Sequence, residues 1–173
     1  MKVFISLLTI SFLLLQSCNS KPSMTPVEYN DTIIKEQAKI IELMFELVAK
    51  IETNLDECEA VRLKTIVQCD SSIQLVSKME PFDGDASMRN TALDLFKFYK
   101  KAYENEYKEM IAILQLGDEI TADDMARITL LNEELAKKET TFDAAFQGAQ
   151  SAFAKKNNIL IEDNKLQKKI DNI

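Results

Sequence analysis

The fold of this chain is decided by the stretch Met24-Thr25-Pro26-Val27-Glu28-Tyr29. Thr25 has the side chain of a helix N-cap, Pro26 suits the first helical position, and Glu28 completes a capping box. Met24 and Tyr29 stand where a hydrophobic staple joins the two sides of such a cap. Together these signals predict that a helix begins at residue 26.

Apolar residues continue from this start at helical spacing, and they predict a first helix that ends near residue 53. Its buried face is predicted at Val27, Ile34, Ile41, Met44, Phe45, Val48, Ile51 and Leu55. A second helix is predicted from about Leu55 to Met79. Its inward residues are predicted to be Cys58, Val61, Ile66, Cys69, Ile73 and Val76.

The clearest break in the chain is Pro81-Phe82-Asp83-Gly84-Asp85, and the third helix after it is predicted to run on to a stop at Gly117. Its buried face is predicted at Met88, Ala92, Leu95, Phe96, Tyr99, Tyr103, Met110 and Leu114.

The fourth helix repeats the opening of the first, because Thr121 caps it and Asp124 follows three residues later, with Ile120 and Met125 as the staple. Its stripe is predicted at Ile128, Leu131, Leu135, Phe142, Ala145, Phe146, Ala149 and Phe153, and Asn157-Asn158 ends it.

Long helices joined by short loops lie antiparallel, so the sequence predicts an all-α fold, an up-down-up-down four-helix bundle over residues 26–158. Only three glycines and three prolines occur in 173 residues, which leaves little material for β-turns. The short C-terminal extension, 159–173, either docks or frays. The alternative is a pair of helical hairpins that forms a homodimer through its open face.

Residues 1–17 are predicted to be an export signal, because Met1-Lys2 precedes an apolar run from Val3 to Leu15 that is too short to span a bilayer. The run ends in Leu15-Gln16-Ser17-Cys18, which resembles the lipobox of bacterial lipoprotein precursors. That resemblance implies removal of the leader and attachment of fatty acyl chains such as palmitate to Cys18, with 18–25 as a linker. Two or more chains hold a protein stably on a membrane. The alternative is a soluble exported protein with a chance cysteine.

Asn19 stands where inner-membrane lipoproteins of that kind carry aspartate, so the cell envelope, and within it the outer membrane, is the expected location. The side of the membrane stays open. Without residues 1–17, the chain has 20 basic and 28 acidic residues and a net charge of −8. This balance argues against binding to nucleic acid or to anionic lipid, both of which need a basic patch.

The chain contains no histidine, and this excludes several cofactor and enzyme classes. Di-iron bundles need Glu-x-x-His pairs, c-type haem needs Cys-x-x-Cys-His, and serine or cysteine catalysis through imidazole needs the base. The adjacent carboxylates of Asp123-Asp124 and Glu133-Glu134 point to different sides of a helix. We therefore predict no enzyme, no catalytic residue, no metal ligand and no cofactor.

Cys58 and Cys69 are eleven residues apart, about 16 Å along one helix, whereas a disulfide needs α-carbons within about 7 Å. They are predicted to be buried thiols, with intermolecular pairing as the alternative.

Asp83, Asp85, Ser87 and Asp94 imitate the ligand spacing of a calcium loop. Met88 occupies the position that needs glycine, so a turn followed by a helix cap is the preferred interpretation.

Tyr99, Tyr103 and Tyr107 form a ladder at i, i+4 spacing beside Phe96. Such a strip is typical of the border of a core, and a groove for a partner is the alternative.

Two stretches, 26–34 with Glu36-Gln37 and 146–156, resemble small helical surface lipoproteins of spirochaetes and Bacteroidetes-type bacteria. The resemblance implies no known enzymatic activity. It singles out five candidate binding residues on the first and fourth helices: Tyr29, Asn30, Asp31, Gln37 and Gln150. The structural alternative is that Asp31 complements the helix dipole and the amides satisfy one another.

Two functions remain as expectations. The first is an envelope lipoprotein, held in the lipid bilayer by the acyl chains on Cys18, that binds an envelope or extracellular protein without catalysis. The second is a small-molecule or metal-binding bundle with a polar site near the first and fourth helices. The second requires those side chains to surround a cavity of roughly 300 Å³ or more.

Overall fold

The computed structural model describes residues 24–161, and it is built from helices. They are α1 (Pro26–Thr53), α2 (Cys58–Ser77), α3 (Ser87–Glu104), α4 (Glu106–Leu114) and α5 (Ala122–Asn157), with short 3-10 turns at Leu55–Glu57 and Gly117–Glu119. Only Asn105 separates α3 from α4, so the two form one interrupted rod. Four rods result, and the predicted all-α helical bundle is confirmed. None of the helices within 24–161 is both long enough and apolar enough to cross a bilayer.

Polar contacts between neighbouring rods show that the rods alternate in direction. Between α1 and α2, Ser72 meets Glu36 and Lys64 meets Glu46, so one sequence number rises as the other falls. The same opposition holds between α2 and α3, where Asp70 meets Lys100 and Arg62 meets Tyr103. The interrupted rod and α5 repeat it in two further pairs, Glu106 with Lys138 and Glu109 with Arg127.

Both predicted capping boxes are present. In the first, the Glu28 carboxylate accepts from the Thr25 amide at 2.8 Å, and the Thr25 hydroxyl accepts from the Glu28 amide at 3.2 Å. In the second, Asp124 and Thr121 make the same exchange at 2.9 and 3.2 Å. At the other end of α5, Asn158 has a left-handed backbone with φ 54° and closes the helix.

The break between α2 and α3 is a tight turn. Asp83 and Gly84 have φ values of 47° and 77°, as a type I′ turn requires, and Phe82 and Asp85 exchange backbone hydrogen bonds of 3.1 and 2.9 Å. The Asp85 carboxylate then accepts from the Ser87 amide at 3.0 Å. The turn is thus confirmed, whereas the predicted side-chain cap is wrong, because the N-cap of α3 is Ala86 and it makes no side-chain capping bond. Within 24–161, no group of three or more Cys, Asp or Glu side chains could hold a metal ion.

The predicted buried face of α1 was correct at Ile41, which is 2% exposed, but the residues that are at most 1% exposed lie one position earlier than the predicted line. Its core line is Ile33, Ile40 and Leu47, which are at most 1% exposed, whereas Val27 is 50% exposed and Ile34 is only half-buried. The buried line includes Glu36 and Gln37, which are polar, so the spacing of apolar residues alone favours the neighbouring line.

Four smaller expectations also failed. Ala145 on α5 is exposed, and Met125 stays 49% exposed instead of being covered by a staple. The third helix is interrupted at Asn105, where φ −119° and ψ −75° deviate from the usual values of an α-helix. The second helix starts three residues late, at Cys58, because a 3-10 turn occupies 55–57.

The core is one cluster shared by all four rods at one end of the bundle, and it splits into two separate clusters toward the other end. We call the end formed by residues 24–30, 77–87 and 150–161 the proximal end, and the opposite end, formed by 46–64 and 104–127, the distal end. The proximal cluster takes residues from all four rods; its main members are Tyr29, Ile33, Ile40, Cys69, Val76, Phe82, Leu95, Phe96, Tyr99, Phe146 and Phe153. This shared core within one chain favours the bundle over the dimer of hairpins.

Toward the distal end two separate clusters replace it. One joins α1, α2 and the interrupted rod through Leu47, Cys58, Val61, Tyr103 and Ile111. The other joins the interrupted rod to α5 through Ala102, Met110, Leu131 and Leu135. Within the described part of the chain, α1 and α5 thus share a cluster only near the proximal end.

The predicted C-terminal extension is described only at its start. Ile159 packs against the proximal cluster, and Leu160 is 96% exposed. Residues 162–173, the predicted leader and Cys18 lie outside the described residues.

Candidate functional site

Two of the five candidate binding residues meet between α1 and α5. The Gln150 side chain donates from Nε2 to Oδ1 of Asn30 at 2.9 Å, and Asn30 donates from Nδ2 to Asp31 at 3.0 Å. Asn30 and Gln150 are each 9% exposed, whereas Asp31 is exposed. The amides satisfy each other, and their contact ties α5 to α1 at the proximal end.

The other two candidates do not complete a site around that contact. Tyr29 packs among Phe82 and Phe153 with ring centroids 5.4 Å away in each case, and burial raises the pKa of its hydroxyl. Beside it lies a depression of about 160 Å³, bordered by Met24 and residues 78–82. Gln37 is 3% exposed and bonds to neither Asn30 nor Gln150. Within residues 24–161, the candidate residues therefore do not surround a cavity of roughly 300 Å³.

A second buried polar contact, between α1 and α2, was missed. Glu36 is 4% exposed and accepts from the Ser72 hydroxyl at 2.9 Å; Ser72 in turn accepts from Gln68 at 2.9 Å, and Lys39 pairs with the second oxygen of Glu36. Glu36 lies between Ile33 and Ile40 on one face of the helix, and this position was the available signal of its burial. A glutamate is normally expected at the surface, so the contact was not predicted.

A third buried polar contact lies next to the interruption at Asn105. Arg62 is 4% exposed, and its Nη1 donates to the Tyr103 carbonyl at 2.6 Å, while Nε and Nη2 both hold the Glu59 carboxylate at 2.7 Å. Tyr103 carries one of the last carbonyls of α3, which lack helical donors. The arginine supplies that donor from α2.

The tyrosine ladder belongs to the core, as the preferred interpretation stated. Tyr99 is 5% and Tyr103 1% exposed, and the Tyr103 and Tyr107 rings stack at 4.4 Å. Tyr99 donates to the Glu139 carboxylate at 3.2 Å, and burial raises the pKa of Glu139. Burial also raises the pKa of Tyr107 to about 12, so these phenols stay protonated.

Cys58 and Cys69 are free and fully buried, in agreement with the prediction. Burial raises the pKa of Cys69 to about 12. Because the thiolate is the reactive form, this thiol is inert in the folded protein.

A larger concave feature lies elsewhere, between the interrupted rod and α5. This groove has a volume of about 410 Å³ and is lined by Asp94, Lys97, Phe98, Lys101, Ala102, Asn105, Glu106, Lys138 and Phe142. The Phe98 and Phe142 rings stack there at 5.0 Å with an interplanar angle of 18°. Sequence reasoning missed the groove, because Phe98 falls beside the predicted face of its helix; its i, i+4 relation to Ala102 was the available signal.

Comparison with protein-family models, curated proteins and solved structures found no match for this chain. The resemblance to small helical surface lipoproteins therefore stays a prediction, and function has to be argued from the residues.

Proposed function

We propose that the protein is an envelope-anchored lipoprotein that acts as a non-enzymatic binding module. The observation that carries the proposal is the sequence Leu15-Gln16-Ser17-Cys18 directly after an apolar leader. A cysteine acylated at this place holds the domain on a bilayer without any membrane-spanning helix. The absence of histidine from the sequence supports a role without catalysis.

The position of the first helix supports a short tether. Residues 18–25 connect Cys18 to the start of α1, and eight residues reach at most about 27 Å when fully extended. The proximal end of the bundle is therefore held close to the bilayer. The 28 residues of α1 rise about 42 Å from there, so the distal end can stand well clear of the lipid headgroups.

The charge distribution supports this upright arrangement. The distal end, 46–64 and 104–127, carries 12 acidic and 5 basic residues, whereas the rest of 24–161 carries 13 acidic and 11 basic residues. An anionic membrane surface repels the acidic end when the bundle lies flat. Upright, that end stands beyond the Debye length of about 8 Å at physiological salt, and the repulsion is screened.

The acidic distal end is then the surface that the tether presents to the surroundings. We expect the partner to be an envelope or extracellular protein with a basic surface, since complementary charge steers association. The polar site near the first and fourth helices, the alternative function, loses support because Asn30 and Gln150 are hydrogen-bonded to each other.

The anchor is tested by expressing the full chain in its native host with a clickable fatty acid. Wild type should carry the label and sediment with membranes, and Cys18→Ala should lose both properties. Cys58→Ala is the matched control, since this buried thiol is not an acylation site, and it should keep the label. An unmodified polypeptide that still begins at Met1, found by intact mass, would refute the proposal.

The binding role is tested by photo-crosslinking in the same cells. A photoreactive residue at the exposed distal position Glu119 should give crosslinks to envelope proteins, and one at the exposed proximal position Lys156 should give fewer protein crosslinks. Crosslinks to cytoplasmic proteins alone would contradict the location, and equal yields from both positions would contradict the orientation.

A further inference from the structure

We propose that the groove between α3, α4 and α5 is a binding site for a small amphiphile, a molecule with a flat or extended apolar body and a single carboxylate. The site does not depend on the lipid anchor or on the protein partner proposed above.

The floor of the groove is an apolar surface that no other part of the described chain covers. Phe98 and Phe142 are only half-buried although they are stacked on each other, and Ala102 beside them is 3% exposed. The volume of about 410 Å³ falls in the range of ligand pockets, roughly 300 to 1,000 Å³. Covering this floor with an apolar body removes aromatic surface from water, which is the favourable term in binding.

The rim supplies one uncompensated positive charge. Lys138 lies 3.4 Å from Glu106, and Lys97 lies 3.6 Å from Asp94, so these two cations are paired. Lys101 is exposed and forms no ion pair with any residue of the described part. One free ammonium beside an apolar floor fits one carboxylate.

This local charge contrasts with the rest of the protein. The described residues contain 25 acidic and 16 basic side chains, whereas the groove has three lysines against two carboxylates. The surrounding acidity disfavours polyanions such as nucleic acid, which need several cations in a row. It leaves a single anionic group as the charge that the groove accepts.

The walls are fixed by contacts that hold them in place before any ligand arrives. Asn105, where the rod is interrupted, lines the groove and donates from Nδ2 to the Lys101 carbonyl at 2.9 Å. Behind it, Arg62 holds the Tyr103 carbonyl, and across the helix pair Tyr99 holds Glu139. A preformed wall reduces the ordering cost of binding.

The test is calorimetric titration of the full chain with 2-naphthoate and with dodecanoate, each compared with its uncharged alcohol. We expect saturable binding of a carboxylate below about 1 mM, and weaker binding of the matching alcohol. Whichever of the two acids binds more tightly identifies the shape of the apolar body. No saturation by either acid below that concentration would overturn the proposal.

Two variants separate the contribution of the Lys101 charge to ligand binding from that of the aromatic floor. Lys101→Glu should weaken binding of the carboxylate about fivefold, the scale of an exposed ion pair, and leave the alcohol unchanged. Phe98→Ala should weaken acid and alcohol together. The control is Lys137→Glu, which makes the same charge change on α5 next to the groove without lining it, and it should bind as wild type.

If Lys101→Glu and Lys137→Glu weaken binding of the carboxylate equally, the ligand is attracted by the general charge of the surface and not by Lys101, and the proposal is overturned. Lys101 is exposed, so its variant should fold normally, and its far-ultraviolet circular dichroism provides the check. The outcome therefore does not depend on whether Phe98→Ala is stable.

Discussion

Replacing the buried Arg62 should destabilise the fold far more than replacing Arg127, an exposed arginine that also holds a glutamate through two hydrogen bonds. Arg62 grips Glu59 with two nitrogens and the Tyr103 carbonyl with a third. Arg127 grips Glu109 in the same forked way, at 2.6 and 3.0 Å, but the two side chains are 44% and 43% exposed. The chain thus contains its own matched control.

The expected magnitudes follow from what each substitution leaves behind. In Arg62→Ala the Tyr103 carbonyl loses its donor inside the core, which costs about 1 to 3 kcal/mol. Loss of the packed arginine stem adds about 1 kcal/mol, whereas Glu59, with 43% of its side chain exposed, regains water at little cost. We expect a total of about 2 to 4 kcal/mol for Arg62→Ala and at most about 1 kcal/mol for Arg127→Ala.

Urea unfolding of the full chain, followed by circular dichroism at 222 nm, measures both values. Arg62→Lys keeps the charge but cannot reach Glu59 and the Tyr103 carbonyl with a rigid fork, so it should fall between wild type and Arg62→Ala. Raising the salt concentration should reduce the Arg127 effect and leave the Arg62 effect largely intact. Equal losses for Arg62→Ala and Arg127→Ala would refute the idea that the carbonyl contact closes the end of α3.

Three further expectations concern stability and reactivity. Glu139→Gln should stabilise the protein at pH 7, because burial raises the pKa of Glu139 in the folded state and so disfavours its ionised form there. The gain in stability should vanish as the pH falls below the pKa of glutamate in the unfolded chain, about 4.3. Urea midpoints measured at pH 7 and 3.5 test this. A gain that persists at pH 3.5 would contradict it. Thr121→Ala should cost about 1 kcal/mol through the lost cap of α5, and an unchanged thermal midpoint would speak against the capping box. In a Cys18→Ala chain, Cys58 and Cys69 should react with a thiol reagent only after addition of urea, and rapid reaction of the native protein would disprove their burial.

The features that the sequence predicted correctly are those with short-range signals. Each capping box needs only two side chains three residues apart, as in Thr25 with Glu28 and Thr121 with Asp124, and such a motif acts before any tertiary contact forms. The turn at residues 82–85 is likewise encoded by Asp83-Gly84, which tolerates positive φ values.

The features that escaped prediction depend on partners far away in the chain. Glu36 is buried because Ser72, 36 residues later, meets it, and Arg62 is buried because a carbonyl 41 residues later needs a donor. Charged residues are seldom buried without such partners, so a sequence reading places them at the surface. This error shifted the predicted face of α1 and hid the interruption at Asn105.

The prediction of the candidate site was correct for one contact, between Asn30 and Gln150, and wrong for the cavity, which depends on residues far apart in the chain. The likeness of two helical segments brought Asn30 and Gln150 together across 120 residues, and the structure joins them. Whether such a pair is a site or a structural contact depends on the space around it, and that space is set by aromatic rings from three elements, Tyr29, Phe82 and Phe153. The spacing of residues along one helix does not predict the volume of a cavity between several elements.

The division of the core gives the groove its place in the molecule. Phe98 packs against both the proximal cluster and the cluster that joins the interrupted rod to α5, so the groove lies at the junction between them. Beyond this junction, among residues 24–161, α5 is buried only through Leu131 and Leu135, and it shares no cluster with α1. A ligand that packs on Phe98 and Phe142 adds contacts between the well-packed proximal part and this sparsely packed distal part. Occupation of the groove would therefore stiffen the arm of α5 that leads to the acidic end, the surface that we propose for the partner.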